Sequence, residues 1–150
     1  MQTEKIKKIA IEKRVHEQFW NVELDIAMQD LQNENYFSVV EKNSGPYDVK
    51  IDIVDGRLML NVSYTNGAEK FMIPLKSFRN VIKDYFLVFD SYQEALNNGH
   101  HARLEAIDMG RRGLHNEGAE ILIHLLEKKI NIDLDTARRL FTIIMVLHLK

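Results

Sequence analysis

The side chains best suited to chemistry concentrate in residues 108–120, which read DMGRRGLHNEGAE. This stretch holds Arg111, Arg112 and His115, together with three of the seven glycines of the chain. An arginine can bind phosphate or carboxylate through two parallel hydrogen bonds, and a histidine titrates near neutral pH. The stretch therefore has three interpretations: an anion cradle, a catalytic or metal site, or a place where helices pack closely.

The glycine pattern disfavours an anion cradle. Its spacing matches neither G-x-G-x-x-G nor a Walker loop, and no predicted strand leads directly into it. If Asn116 caps the helix that follows, Glu117 and Glu120 fall in the first turn of that helix. Their carboxylates would then repel an anion at the helix start.

Acid–base or metal chemistry is best served if the stretch is one continuous helix. Asp108, Arg112 and His115 then lie at positions i, i+4 and i+7, on one face. His115 would act as acid or base, and Asp108 or Glu117 would orient it. The chain has no HExxH motif and no G-x-S-x-G elbow, and the neighbouring arginines disfavour a cation. We therefore expect no metal and no cofactor.

Helix packing is the third interpretation. A glycine inside a helix costs about 0.5–1 kcal/mol relative to alanine, so Gly110, Gly113 and Gly118 need a compensating reason. A helix break, a closely packed neighbouring helix or a partner that approaches the backbone would each provide one. A break with close packing weighs about as much as all functional interpretations together.

Other polar groups give weaker signals. Arg138 and Arg139 follow two aspartates at the start of the predicted last helix, a pattern typical of local charge pairing. His124 and His148 lie among apolar residues, which is more typical of hydrogen-bonded or partly exposed histidines than of metal ligands.

A three-stranded meander is the firmest structural prediction. Apolar and polar residues alternate on both sides of Asp55-Gly56, a strong signal for a two-residue type I′ turn. That turn would pair Ile53 with Leu58, Ile51 with Leu60 and Val49 with Val62. A second turn at Asn66-Gly67 would pair Val62 with Phe71, Leu60 with Ile73 and Leu58 with Leu75. Pro74 has no N–H to donate, so it should end the pairing or lie on an edge.

Helical periodicity accounts for most of the remaining chain. The predicted helices run from Val15 to Asn33, from a cap at Ser77 to the NNG segment at 97–99, from after His101 to about Lys129 with an interruption at the glycines, and from Thr136 to about Leu149 behind a cap at Asp133 or Asp135. The first should bury Val15, Phe19, Val22, Ile26 and Leu31. The N-terminal segment KIKKIAIEK is predicted to add a fourth strand. The fold class is thus α+β: a small antiparallel sheet with about four helices packed on it.

Composition limits the kind of protein. A chain of 150 residues is the length of one domain, so we expect a single domain over residues 1–150. The net charge of -2 disfavours nucleic acid as a partner, and the lack of cysteine excludes disulfide and thiolate chemistry. The N-terminus lacks the apolar core of a signal peptide, and the longest apolar run, residues 140–149, is too short to cross a bilayer. We therefore expect a cytoplasmic protein without membrane contact.

Four segments carry a family resemblance: GPYDVKIDIVDGRLMLNV, FRNVIKDYFLVFDSYQEAL, EAIDMGRRGLHNEG and DTARRLFTIIMVLHLK. Together they resemble the bacterial uncharacterised protein family 0262 (UPF0262). The likeness covers nearly the whole chain, and EAIDMGRRGLHNEGAE is its most specific part. The resemblance implies a small cytoplasmic bacterial protein without an assigned activity, and it carries no catalytic residues over.

Three functional hypotheses follow. The first is a non-enzymatic binding, regulatory or assembly module for an unidentified protein or small molecule, with a contact surface made of Asp108, Arg111, Arg112, His115, Asn116 and Glu117. The second is an enzyme for a phosphorylated or carboxylated small molecule, with His115 as acid or base. The third is an RNA-binding accessory protein that uses the basic N-terminus and the arginine pair. The apolar helix Leu140 to Leu149 would serve either the core or a homo-oligomer interface.

Overall fold

The computed structural model describes residues 3–11, 18–41 and 45–148. Within them the chain forms β1 (Ile6–Ile11), α1 (Gln18–Asn33), β2 (Phe37–Val39), β3 (Tyr47–Val54), β4 (Arg57–Tyr64), β5 (Gly67–Pro74), α2 (Arg79–Asn97), α3 (His101–Leu126), β6 (Ile130–Ile132) and α4 (Leu134–His148). One sheet has the order β1-β3-β4-β5, and β2 pairs with β6. The helices contact one another in the order α1, α4, α3, α2, and a single apolar core joins them to the sheet. The predicted α+β class is confirmed.

The first hairpin has the predicted register. Ile53 pairs with Leu58, Ile51 with Leu60 and Val49 with Val62. Asp55 and Gly56 have φ values of 52° and 72°, as a type I′ turn requires. The paired residues lie on the face of the sheet that packs against the core.

The second hairpin has the predicted face, but its predicted register is wrong. The turn is Thr65-Asn66 instead of Asn66-Gly67, so Leu60 pairs with Phe71 and Leu58 with Ile73. Asn66 and Gly67 lack the positive φ of a type I′ turn. Because the shift is two residues, the same side chains still face the core.

The shifted register also sets the end of β5. Pro74 is the last residue of this edge strand, as predicted. Leu75 is released from the sheet, and its N–H bonds to the Gly56 carbonyl at 3.1 Å. The chain can then turn away from the sheet toward α2.

The N-terminal segment forms the predicted fourth strand, β1, and makes the sheet mixed. β1 runs parallel to β3, whereas the prediction was a wholly antiparallel sheet. Parallel neighbours need a long crossover connection, which here includes α1 and β2. The side chain of Asn35 covers the β1 edge by accepting from the Ile6 N–H (2.7 Å) and donating to the Ile6 carbonyl (3.0 Å).

The buried face of α1 differs from the predicted one. Leu24, Ala27 and Leu31 are buried, whereas Val22 and Ile26 are each 50% exposed. The predicted face is therefore wrong except at Leu31. Val15 and the side chain of Phe19 lie outside the described part of the chain. α1 packs beside α4, and the small Ala27 lies on the side that faces the core.

The start of α2 is set by burial. Ser77 lies within a 3₁₀ turn, Leu75–Phe78, and α2 begins after Phe78 without a side-chain cap. The predicted Ser77 cap is therefore wrong. Leu75 and Phe78 are both buried, so their packing holds the turn. The helix ends at Asn97, where the sequence predicts its end.

Helix α3 is uninterrupted, so the predicted break at the glycines is wrong. It ends at Leu126, one turn before the predicted end. A Cβ at Gly118 would overlap the ring of Phe141 in α4, which explains this glycine by close packing. Gly110 and Gly113 have nothing within 4 Å of where a Cβ would lie. Nothing in the structure explains these two glycines.

Helix α4 lies in the middle of the helical layer, between α1 and α3. Its predicted cap is confirmed, because Asp133 Oδ1 accepts from the Thr136 N–H at 2.9 Å. Every residue from 140 to 147 except Thr142 is buried. The chain itself covers this apolar surface, so the alternative of a homo-oligomer interface along the helix is wrong for its described part. No helix among the described residues is long and apolar enough to span a membrane.

Candidate functional site

His115 lies on the inner side of α3, where α2, α3 and α4 meet. Its ring makes edge-on contacts with Tyr85 of α2, at a centroid distance of 5.2 Å, and with Phe141 of α4, at 5.7 Å. Gly118 lies three residues further along α3 and leaves room for the Phe141 ring. The packing of the two helices therefore fixes the orientation of the imidazole.

The hydrogen bonds of Thr142 indicate the tautomer of His115. Thr142 Oγ1 lies 2.7 Å from His115 Nε2 and 3.2 Å from the Arg138 carbonyl oxygen. The hydroxyl has one proton, and a carbonyl oxygen can only accept it. The Nε2–H of His115 therefore donates to Thr142, and Nδ1 is the acceptor nitrogen of a neutral ring.

Burial and positive charge keep His115 neutral. Burial, followed by the charges of Arg138 and Arg111, lowers the pKa of His115 to about 4. Burial disfavours the charged imidazolium, and two nearby cations disfavour it further. His115 thus contributes a hydrogen-bonding ring to the site, and no charge at neutral pH.

Asp108, Arg111 and Arg112 form a closed ion cluster on α3. Arg111 Nη2 lies 2.6 Å from Asp108 Oδ1, and Arg112 Nε lies 3.0 Å from Asp108 Oδ2. The hydrogen bond from Arg111 lowers the pKa of the Asp108 carboxyl. Arg111 also lies over the ring of Tyr92, 6.0 Å from its centroid. Both carboxylate oxygens of Asp108 are engaged, so this group does not orient His115.

Asn116 and Glu117 do not join this cluster. An α-helix turns by about 100° per residue, so Glu117 points away from His115, and both Asn116 and Glu117 are exposed. The predicted contact surface is thereby divided between the inner and outer sides of α3. Among the described residues, no three or more side chains of His, Asp or Glu are grouped to hold a metal.

A pocket of about 270 Å³ lies beside His115. Its other lining residues are all on α4: Asp135, Arg138, Arg139 and Thr142. They occupy positions i, i+3, i+4 and i+7, and therefore one face of the helix. Asp133, which caps α4, fixes the first turn of this face.

The charged groups of the pocket do not neutralise one another. Arg138 and Arg139 form no ion pair within the described parts of the chain, so the predicted local charge pairing is wrong. Asp133 is engaged as the helix cap, and Arg139 Nη1 donates to the Glu34 carbonyl at 2.9 Å. Arg138 Nε is buried without a hydrogen-bond partner among the described residues.

The α4 side of this pocket is not among the residues predicted from the sequence. The available signal was the polar spacing Asp135, Arg138, Arg139 and Thr142 on a helix that is otherwise apolar. The position of Thr142 within LFTIIMVLHL was the clearest part of it.

The chain belongs to the uncharacterised protein family UPF0262, whose model matches residues 3–150. It is 48% identical over 126 residues to a UPF0262 protein of Caulobacter vibrioides, an alignment that covers 84% of this chain and 79% of the relative. It is 47% identical to a UPF0262 protein of Phenylobacterium zucineum, with the same coverage of 84% and 79%. A UPF0262 protein of Brucella suis is 43% identical, with 82% of this chain and 79% of the relative covered. No solved structure matches the chain. The predicted family is confirmed, and the family has no characterised activity.

Proposed function

We propose that this protein is a non-enzymatic binding module for a small molecule with an acidic group, held in the pocket between α3 and α4. The main support is the pair of arginines that line the pocket, Arg138 and Arg139, neither of which forms an ion pair among the described residues. A carboxylate or phosphate oxygen is the partner that a guanidinium binds best.

The charge and size of the pocket also favour such a ligand. Arg138 and Arg139 outweigh the single carboxylate of Asp135, and His115 is neutral. The volume of about 270 Å³ is near the lower end of the range for ligand pockets, which begins at about 300 Å³. The proposed ligand is therefore a small metabolite. The proposed pocket shares only His115 with the predicted contact surface. The arginines of α4 take the place of the other residues of that surface.

The two alternative functions have less support. As an acid or base, His115 would need a carboxylate to orient it, and its Nε2–H donates to Thr142 instead. RNA binding would use the basic N-terminus, but one of its lysines is already near a carboxylate: Lys7 Nζ lies 3.9 Å from Asp48 Oδ1. Lys13 and Arg14 lie outside the described residues. The binding module remains the function that the geometry favours.

Sulfate is a suitable first probe because it carries the acidic group alone. We expect sulfate to raise the Tm saturably, compared with sodium chloride of equal ionic strength. A ligand at 100 times its Kd stabilises by about 2.7 kcal/mol, which corresponds to a Tm shift of about 5–10 °C for a domain of this size. Arg138→Met should abolish the shift. Arg112→Met is the matched control, because Arg112 is exposed and does not line the pocket.

Two results would contradict the proposal. One is a Tm that responds to sulfate no more than to chloride. The other is an equal sulfate response in Arg138→Met and the wild type, with both shown to be folded by circular dichroism.

A further inference from the structure

We infer that the ligand carries a hydrogen-bond donor, a hydroxyl or an ammonium group, beside its acidic group, and that Asp135 accepts from this donor. The inference rests on the proposed function, since it places a second group of the same ligand in the same pocket. It names a ligand class: small hydroxy acids, amino acids and their phosphate counterparts.

The first support is the mixed charge of the pocket wall. Asp135 lines the same pocket as Arg138 and Arg139. Residues three and four apart on a helix are neighbours and commonly form ion pairs. Yet Asp135 forms no ion pair in the parts of the chain that the structure describes. The pocket therefore keeps a negative pole as well as a positive one.

The second support is the effect of Asp135 on a simple anion. A ligand with acidic groups alone would be attracted by the arginines and repelled by the carboxylate. A donor on the ligand converts that repulsion into a charge-assisted hydrogen bond. The arrangement thus favours ligands that carry both kinds of group over simple anions.

The third support is the short distance between the two poles. Asp135 and the arginines are three or four residues apart on α4, which is about 4.5–6 Å along the helix axis. The pocket volume of about 270 Å³ is enough for a small molecule. The donor and the acidic group can therefore both belong to one small molecule.

Propionate, lactate and alanine provide a matched test with the full-length protein. They share a three-carbon carboxylate and differ at the second carbon, which carries hydrogen, a hydroxyl or an ammonium group. We expect isothermal titration calorimetry to show lactate and alanine binding about tenfold more tightly than propionate, because each gains one charge-assisted hydrogen bond of moderate strength at a partly solvated site.

The Asp135→Asn variant sharpens the test. It should weaken alanine binding about tenfold, because it removes the charged partner of the ammonium group. It should strengthen sulfate and propionate binding, because it removes a negative charge that repels these anions. Glu120→Gln is the matched control, since Glu120 is an exposed carboxylate on α3 that does not line the pocket. It should leave all affinities unchanged.

The outcomes separate this inference from the proposed function. Equal affinities for propionate, lactate and alanine, with sulfate still bound through Arg138, would overturn the inference alone. Failure of sulfate to bind the wild type would overturn the proposed function, on which the inference rests.

Discussion

His115 is neutral because of what surrounds its ring. Tyr85 and Phe141 exclude water from two sides, and the charges of Arg138 and Arg111 oppose a further positive charge. A histidine with a carboxylate neighbour would have the opposite shift. An anion bound at Arg138 would weaken the effect of the Arg138 charge on the pKa of His115.

The low pKa of His115 predicts a specific pH dependence of stability. The pKa is about 4 in the folded chain, against 6.5 for an unperturbed histidine, so below pH 6.5 the unfolded chain binds the extra proton first. The contribution of the neutral His115 to the free energy of unfolding is fully present above pH 6.5. It is lost as the pH falls toward 4, at up to about 1.4 kcal/mol per pH unit.

His115→Gln isolates this effect, because glutamine does not titrate and its amide can still donate to Thr142. Between pH 7 and pH 4.5, urea unfolding should show the wild type losing about 2 kcal/mol more than the variant. The carboxylates titrate in both proteins, so they cancel in the comparison. Parallel stability curves would mean that His115 titrates normally.

The packing of α3 against α4 depends on one glycine of three. Gly118→Ala should lower the free energy of unfolding by about 1–3 kcal/mol, because its methyl group would overlap the Phe141 ring in a packed core. Gly113→Ala is the matched control on the exposed side of the helix. It should raise the free energy of unfolding by about 0.5–1 kcal/mol, because alanine is the better helix former.

Chemical denaturation of the two variants measures the change in the free energy of unfolding, and so tests the predicted decrease for Gly118→Ala and the predicted increase for Gly113→Ala. A neutral Gly118→Ala would show that α4 shifts to accommodate the methyl group. If Gly113→Ala instead lowers the free energy of unfolding, this part of α3 requires glycine for a reason other than its contacts within the chain.

The strands and helices were predictable where the signal was local. The Asp55-Gly56 turn fixes its own backbone angles, so its register follows from the sequence. At the second turn, Asn66-Gly67 suggested the same geometry, but the packing of Leu75 outside the sheet favours a register two residues away. The face of α1 likewise depends on its contact with α4, which periodicity alone does not specify.

The candidate site was predictable only on its α3 side. The spacing places Asp108 and Arg112 on one face if the helix is continuous; the helix is continuous, and the two side chains form an ion pair. The hydrogen-bond partner of His115, Thr142, lies 27 residues away on α4, and a long-range helix contact leaves no periodic trace in the sequence. The arginines of α4 were misinterpreted because neighbouring aspartates suggested local pairing.

The whole chain is organised around α4, which contacts both α1 and α3. Thr136 in its first turn is the one fully buried polar side chain among the described residues. Its Oγ1 accepts from the N–H of Tyr36 at 2.9 Å, across 100 residues of sequence. This bond ties the segment between α1 and β2 to the helix that carries the pocket arginines.

We expect this long-range bond to stabilise a single cooperative unit over residues 1–150. Thr136→Val keeps the shape of the side chain and leaves the Tyr36 N–H unpaired, so it should lower the free energy of unfolding by about 1–3 kcal/mol. Thr136→Ser keeps the oxygen and loses a methyl group, and should cost only about 1 kcal/mol. Calorimetry should show one transition in all three proteins, with equal calorimetric and van't Hoff enthalpies. One apolar core joins the sheet to the four helices of the described chain, which is the reason to expect a single transition. Two separate transitions in any of the three proteins would show that the sheet and the helices fold as independent units.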